Sequence, residues 1–350
     1  MNYKRFHLFE KTQVLVAGGG LLAVVFFWVG GAFQPADPLG PIAMLPNGNL
    51  AKLLLAGAML LVLSVITGAL TTHSRPEGGL LTALVALGGL ALLSEPMDTL
   101  LWRYGAPRGG LYGLLILEVL LLGIAVLLAE WVVMLVRALL GRAHPAWVWT
   151  DPLDRLTDDQ RKILRGSRVH VRWDGDVLDG RETRLPLGVR DTLIGTVWSL
   201  LSRWRNPRES KDARAAEHRA AAGVFRRGAG CLLLGVVVGV VLVSLLMQSD
   251  QRGQILFSLF AGFALAATAA RHVFPTRTMF VAWLMPIVAA VVFYLLAALT
   301  HGAIRPQYEA LPIDWITAGC SGSLLGFWVA GRMRESRIFD TLAHEMQTQA

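Results

Sequence analysis

Three acidic residues lie within or at the edge of long apolar blocks of this 350-residue chain: Glu118, Glu130 and Asp314. A carboxylate in hydrocarbon is costly, so each should face a bundle interior or a polar cavity and have a partner. Carboxyl groups in such places could relay protons or cations. The alternative is a structural ion pair or, for Glu130 and Asp314, an interfacial position near the end of an apolar block.

Two arginines stand just before the blocks that hold two of these acids. Arg108 precedes Glu118, and Arg305 precedes Asp314. Each guanidinium is a natural partner for an acid and would keep it ionised by supplying an opposite charge. Pairing of that kind would make the acids structural, whereas acids that line a wet cavity without arginines would favour transport.

Other reactive residue types form no convincing catalytic or metal-binding set. Cys231 and Cys320 both lie in apolar blocks, where two thiols give neither a disulfide framework nor a metal site. Asp174, Asp176 and Asp179 have the spacing of turn residues and lack the later oxygen ligands of a calcium loop. The sequence therefore predicts no catalytic residue, no bound metal and no cofactor.

Glycines at four-residue spacing occur twice, at Gly235 and Gly239 and again at Gly322 and Gly326. Small residues at this spacing let two helices approach closely in a membrane. We interpret both pairs as helix-packing faces and not as a nucleotide site.

The elements that must position these residues are apolar blocks. The chain is 54% hydrophobic with a mean hydropathy of +0.51, against about 45–50% apolar residues in soluble domains. The excess lies in blocks of about 16–25 residues, long enough to cross a hydrocarbon core as helices. We predict eight spans: Val14–Phe33, Leu53–Thr72, Gly78–Ser94, Leu111–Leu135, Gly228–Gln248, Ile255–Ala270, Met279–Leu299 and Ile313–Val329.

The distribution of basic residues predicts the orientation. The net charge is +8, and the basic residues flank the apolar blocks, which favours anionic lipid headgroups over nucleic acid as partners. With both termini inside, nine short-segment basic residues lie on the cytoplasmic side and five outside. Because arginine, alanine, glycine and leucine are abundant, we place the protein in a bacterial inner membrane with both termini cytoplasmic.

A basic segment at 137–227 interrupts the apolar blocks. Turn signals at Asp174–Gly180 predict a short β-hairpin, and Leu193–Trp204 predicts an interfacial amphipathic helix. The segment is therefore expected to be a small mixed α/β cytoplasmic loop. The chain then divides into a first transmembrane half, this loop, a second transmembrane half and a cytoplasmic tail, at 1–136, 137–227, 228–331 and 332–350.

An ordered series of short matches suggests an internal duplication. A His-x-x-Pro motif at 73–76 recurs at 272–275, and Gly-Ala-x-Arg at 105–108 recurs at 302–305. A tyrosine six residues before an acid then follows in both halves, at 112–118 and 308–314. Two halves of four spans each would both begin in the cytoplasm, and so would be parallel.

These expectations describe an all-α polytopic membrane protein with about eight transmembrane helices in two parallel four-helix halves. Two functions remain open. One is a transporter or permease-type component, and the other is a non-catalytic membrane scaffold or a subunit that binds other membrane subunits. A continuous polar cavity at mid-membrane would favour the first function, and a dry, tightly packed bundle would favour the second.

Overall fold

The computed structural model describes residues 3–35, 40–105, 108–144, 160, 211–276, 278–300 and 305–349. Within these ranges all regular elements are helical. The main helices are α1 (Tyr3–Val24), α2 (Leu50–Leu70), α3 (Pro76–Leu92), α4 (Asp98–Tyr104), α5 (Gly109–Ala143), α6 (Lys211–Leu246), α7 (Arg252–Val273), α8 (Phe280–Leu299) and α9 (Cys320–Gln349).

Two of these helices are extended by tighter or wider turns. α1 continues through a π-helical turn at Val25–Val29 and a 3₁₀ turn at Gly30–Phe33. α9 is preceded by a helical turn at Pro312–Asp314 and a π-helical turn at Trp315–Gly319, which together form one continuous rod with it. A proline at the first helical position fits the start of this rod, because the missing N–H would have no helical partner there.

Six helices are long and apolar enough to cross a membrane: Glu10–Phe33, Leu50–Leu70, Gly109–Ala143, Arg226–Leu246, Arg252–Val273 and Phe280–Leu299. The described part of the chain is thus all-α, with the six apolar helices of a multi-pass membrane protein. The other two predicted spans also fall on helices. The third coincides with α3, which is shorter and apolar, and the eighth begins the rod that contains α9.

The helices run between two ends of one bundle. Arg137 near the end of α5 donates to the backbone carbonyl oxygen of Thr71 at the end of α2 (2.8 Å). Glu10 near the start of α1 meets Arg332 of α9. These contacts define what we call the charged end. The opposite end holds the start of α7, where Arg252 contacts Asp314.

Glycine faces bring α9 against α7. A Cβ at Gly322 would overlap the backbone of Phe260, and one at Gly326 would overlap the backbone of Ala264. On α6, Gly239 lies against the ring of Phe263 of α7. The predicted use of these glycines in helix packing is confirmed.

Candidate functional site

A buried cluster of charges, which we call the charged junction, joins α1, α3 and α9. It consists of Glu10, Arg75, Glu77, Arg332 and Glu335, all at most 9% exposed. Arg332 pairs with Glu10 and, at 2.6 Å, with Glu335. Arg75 pairs with Glu335 through its side chain, and its backbone N–H donates to Glu10 Oε1 at 2.8 Å. Because Glu10 and Glu335 each have two donors, the junction ties three helices that are distant in sequence.

Two further arginines support the same end through carbonyl groups. Arg137 donates to the backbone oxygens of Thr71 and Ser74, in the turn between α2 and α3. The Arg271 guanidinium stacks on the ring of Phe327, 3.7 Å from its centroid, and donates to the Phe327 carbonyl oxygen. A guanidinium supplies five donors, which suits it to hold carbonyls that helix ends leave open.

Asp314 forms the principal ion pair of the opposite end. Its side chain is fully buried, and Arg252 donates to both of its carboxylate oxygens, with an Nη1–Oδ2 distance of 2.7 Å. The N–H of Leu311 also donates to Asp314 Oδ2 at 2.7 Å. Arg252 reaches further, to the carbonyl oxygen of Ala91 at the end of α3 (2.9 Å). The pair therefore links α3, α7 and the rod that contains α9.

Glu118 is fully buried in α5 and contacts the irregular segment Gly40–Asn49, which we call the plug segment. The N–H of Leu45 donates to Glu118 Oε2 at 2.9 Å, and the N–H of Met44 lies close as well. Among the described residues, Glu118 Oε1 has no hydrogen-bond partner. A cavity of about 160 Å³ lies on the plug segment at this end, with Lys52 and Arg103 in its lining.

Glu130 lies deeper in the bundle and joins α5 to α8. It is fully buried in α5, and the indole N–H of Trp283 on α8 donates to its Oε2 at 2.7 Å. The indole therefore supplies a hydrogen-bond donor to one of the two carboxyl oxygens, at the place where α5 and α8 pack. Glu118, Glu130 and Asp314 thus all point into the protein, and none of them faces lipid.

The two arginines predicted as partners lie elsewhere. The guanidinium on Asp314 is that of Arg252, while Arg305 is exposed. Arg108 lies near Glu309, a buried residue of the segment before the last rod. Burial, together with the nearby Asp98 and Asp250, raises the pKa of Glu309 to about 7, although Arg108 acts in the opposite direction.

Apolar side chains fill the middle of the described bundle. The buried faces of α3, α5 and α8 carry almost only leucine, alanine, valine, methionine and phenylalanine at mid-height. They include Leu80, Ala83, Leu84, Leu87, Leu122, Val126, Ala129, Met285, Ala289, Ala290 and Phe293. Within the described ranges, no group of three or more histidine, cysteine or acidic side chains is arranged to hold a metal ion.

A proline inside α8 explains the polar residues on the facing side of α9. Pro286 has no N–H, so the carbonyl oxygen of Ala282 loses its helical partner. The hydroxyl of Ser323 donates to that oxygen at 2.6 Å. Cys320 Sγ contacts the next carbonyl oxygen, that of Trp283, at 3.2 Å. The thiol and hydroxyl therefore satisfy backbone groups that lipid could not.

We expect Ser323→Ala to destabilise the protein by about 1–2 kcal/mol, because it leaves the Ala282 carbonyl buried without a donor. In a Pro286→Ala background the helix supplies its own N–H, so the same serine substitution should cost less. Unfolding of all four proteins in mixed micelles measures this coupling. Equal effects of Ser323→Ala in both backgrounds would contradict the assignment.

No protein-family model, curated protein or solved structure matches this chain. Its class is therefore given by the fold and the charged contacts themselves: a multi-pass, all-α membrane protein whose helices are fastened by buried ion pairs near both ends.

Several functional contacts were not apparent from the sequence. The sequence analysis did not single out Glu10, Arg75, Arg332 or Glu335 as partners, and the three-residue spacing of Arg332 and Glu335 is the sequence signal that fits their local pair. The expected β-hairpin at Asp174–Gly180 and interfacial helix at Leu193–Trp204 lie outside the described residues.

Proposed function

We propose that this protein is a non-catalytic membrane scaffold or a subunit of a larger membrane complex. The observation that carries the proposal is the position of the polar groups. The charged junction and the Arg252–Asp314 pair fasten helices near the two ends, and apolar side chains fill most of the space between them, where Glu130 is bonded to Trp283. A bundle filled in this way favours a fixed platform over a pathway for a polar solute.

One face of α6 offers a surface for another membrane subunit. Leu233, Val237, Val241 and Leu245 are each at least 52% exposed and follow one another at four-residue spacing. This spacing places them on one ridge of the helix. Only 22% of the apolar part of α6 is buried, against 61% for α8. Side chains of this kind pack against lipid or against a partner helix with equal ease.

Photo-crosslinking in intact cells tests the proposal. A crosslinking residue at Val237 or Val241 of α6 should give a discrete adduct with one membrane protein. Val62 and Ile66 of α2 are also exposed to the apolar phase and serve as matched controls, which should give lipid adducts. Lipid adducts alone at the α6 positions, together with a monomer in mild detergent, would contradict a subunit role.

A transporter or permease-type component is the second candidate, and Glu118 is the observation that favours it. A fully buried carboxyl without a cationic partner among the described residues is typical of ion or proton pathways. Reconstituted vesicles test this function. Dissipation of an imposed pH gradient by the wild type but not by Glu118→Gln would support transport, and equal leakage from both would count against it.

The topology is part of the same proposal: about eight spans in a bacterial inner membrane, with both termini and the segment 137–227 in the cytoplasm. Alternation of the helices between the two ends supports eight passes, with α3 and the rod containing α9 as the two buried ones. Exposed Arg142 and Arg226 at the charged end favour contact with anionic headgroups of the inner leaflet.

Cysteine labelling provides the topology prediction. Gln34→Cys and Thr300→Cys at the opposite end should react with an impermeant maleimide added from outside, and His344→Cys should react only after the membrane is opened. The native Cys231 and Cys320 are buried and should not react with the maleimide. Labelling of His344→Cys in intact cells, or protection of the other two sites, would contradict the orientation.

The internal duplication is likewise proposed. In each half the first helix packs on the third and the second on the fourth, as α1–α3 and α2–α5, then α6–α8 and α7–α9. The contacts between halves also form a corresponding pair, α5 with α8 and α9 with α3. The match is incomplete, because α6 packs along α7 while α1 barely contacts α2. A nanodisc structure in which the halves fail to superpose by rotation about the membrane normal would refute it.

A further inference from the structure

We propose that Glu118 is a proton-binding site, and that the proton bound there holds the plug segment closed over the opposite end of the bundle. The inference goes beyond the scaffold role and does not depend on it. It requires only the surroundings of one carboxyl group and of the segment that covers it.

The surroundings of Glu118 favour the neutral acid. Its side chain has no exposed surface, and no lysine, arginine or histidine of the described residues lies within ion-pair distance. An ionised carboxylate in such a place would lack the opposite charge that normally offsets its desolvation. In the neutral acid, Oε2 is the carbonyl oxygen that accepts from the N–H of Leu45, and the proton is on Oε1.

Asp314 is an internal comparison at the same end of the bundle. It is equally buried, but Arg252 contacts both of its oxygens and the N–H of Leu311 donates to one of them. Its negative charge is therefore compensated. Of these two fully buried carboxyl groups, one has a guanidinium and the other has none within the described residues, and this difference selects Glu118 as the group that gains and loses a proton.

The plug segment is irregular backbone that is buried in protein. Ile42, Ala43 and Met44 are at most 3% exposed, although the segment forms no regular helix. Backbone of this kind is tolerated near the membrane only where protein groups satisfy it. Leu45 is satisfied by Glu118, so the carboxyl group is one of the few points that hold the segment.

Three other side chains hold the plug segment from neighbouring elements, and one of them is Arg103 of α4, which donates to Asn47 Oδ1 at 3.1 Å. The Ser94 hydroxyl accepts from the N–H of Ile42 at 2.9 Å, and the Tyr104 hydroxyl donates to the carbonyl oxygen of Pro46 at 2.9 Å. These contacts are made by hydroxyl and guanidinium groups. Among the described side chains that bond to the segment, Glu118 supplies the carboxyl group, so we expect its contact to respond to protons.

The effect of pH on the plug segment follows from the linkage between proton binding at Glu118 and closure of the segment. When the plug segment lifts, water reaches Glu118 and the carboxylate becomes easier to form, so the closed state binds the proton more tightly than the open state. Raising the pH therefore favours opening, and lowering it favours closure. The other ionisable groups around Glu118 are Tyr112 on the same helix, Tyr294 on α8 and the Arg252–Asp314 pair. The paired aspartate keeps its compensating charge, and the tyrosines are neutral at the pH values concerned.

Accessibility of the plug segment provides the test. Ala43→Cys places a thiol within the plug segment, at a position that is 1% exposed. In the full-length protein in vesicles, its labelling rate should rise as the pH is raised from mildly acidic to alkaline. The rate is divided by that of Leu50→Cys, an exposed site nearby, to remove the pH dependence of the thiol itself.

Glu118→Gln shows whether the faster labelling at high pH comes from ionisation of Glu118 or from a general loosening of the protein. The amide can still accept from Leu45 but cannot ionise, so Ala43→Cys should label slowly at every pH in this background. Asp340→Asn, which removes an exposed carboxylate of α9, is the control and should leave the pH response intact. A normalised rate that does not change with pH, or a pH response that persists in Glu118→Gln, would overturn the proposal.

Infrared spectroscopy gives a second readout that does not depend on cysteine chemistry. The spectrum of the wild type minus that of Glu118→Gln at neutral pH should contain the C=O band of a protonated carboxylic acid. If the difference instead contains carboxylate bands, Glu118 is ionised in the closed state and the proposal fails.

Discussion

Replacing Arg332 with alanine is expected to lower the free energy of unfolding by about 3–5 kcal/mol, the usual loss when one partner of a buried ion pair is removed. Glu10 and Glu335 are each 1% exposed, and both lose a guanidinium in this variant. Arg75 remains, but one side chain cannot compensate two buried carboxylates. The measurement is unfolding in mixed micelles by titration with a denaturing detergent.

Two further variants show whether the loss comes from uncompensated charge. Arg337→Ala removes an exposed arginine from the same helix and should change stability by no more than about 0.5 kcal/mol. Combining Arg332→Ala with Glu10→Gln removes one of the stranded charges and should restore part of the stability. A large effect of Arg337→Ala, or no recovery in the double variant, would show that the charged junction does not act as a buried ion network.

Gly326→Ala is expected to destabilise the protein by about 3 kcal/mol or more, because an added methyl group would occupy the place of a backbone carbonyl. The atom in its way is the oxygen of Ala264 on α7, which cannot rotate aside as a side chain could. The two helices would have to separate. Separation would also stretch the hydrogen bond from the Thr268 hydroxyl to the Gly326 carbonyl oxygen, now 3.1 Å.

A glycine on an open helix face provides the control for this steric effect. Gly113 of α5 is exposed, and a Cβ there would meet no atom within 4 Å. Gly113→Ala should therefore leave stability unchanged or raise it slightly, since alanine is the better helix former. Similar losses for Gly113→Ala and Gly326→Ala would mean that close contact between α7 and α9 is not the cause.

The helices were predictable because the blocks that form them are continuous in sequence. All eight predicted segments fall on helices, and the bounds differ mainly where a helix continues beyond its apolar part. Helix α5 runs to Ala143, well past the predicted Leu135, and α6 begins at Lys211 instead of Gly228. Hydropathy detects where a helix meets lipid, but it cannot detect where a helix ends in a polar environment.

The sequence predicts that these acids are buried, but it does not predict their partners, because the partners are far away along the chain. The cost of burying a carboxylate can be read from Glu118, Glu130 and Asp314 alone, and all three are fully buried. Their partners depend on which helices become neighbours. Asp314 bonds to Arg252, 62 residues earlier, although Arg305 is much closer in sequence.

The contacts of Asp314 and Arg332 also fix the distance between the two levels at which the helices are held together. Both residues belong to the rod that contains α9, 18 positions apart (332 − 314), which at about 1.5 Å per residue corresponds to about 27 Å between the two fastened levels. Acyl chains that match this distance form a bilayer slightly thinner than the average of about 30 Å. Because both levels are fixed to several helices at once, the bundle cannot adjust by tilting one helix alone. The surrounding lipid must adapt instead. We therefore expect lipids with shorter acyl chains to be enriched around this protein.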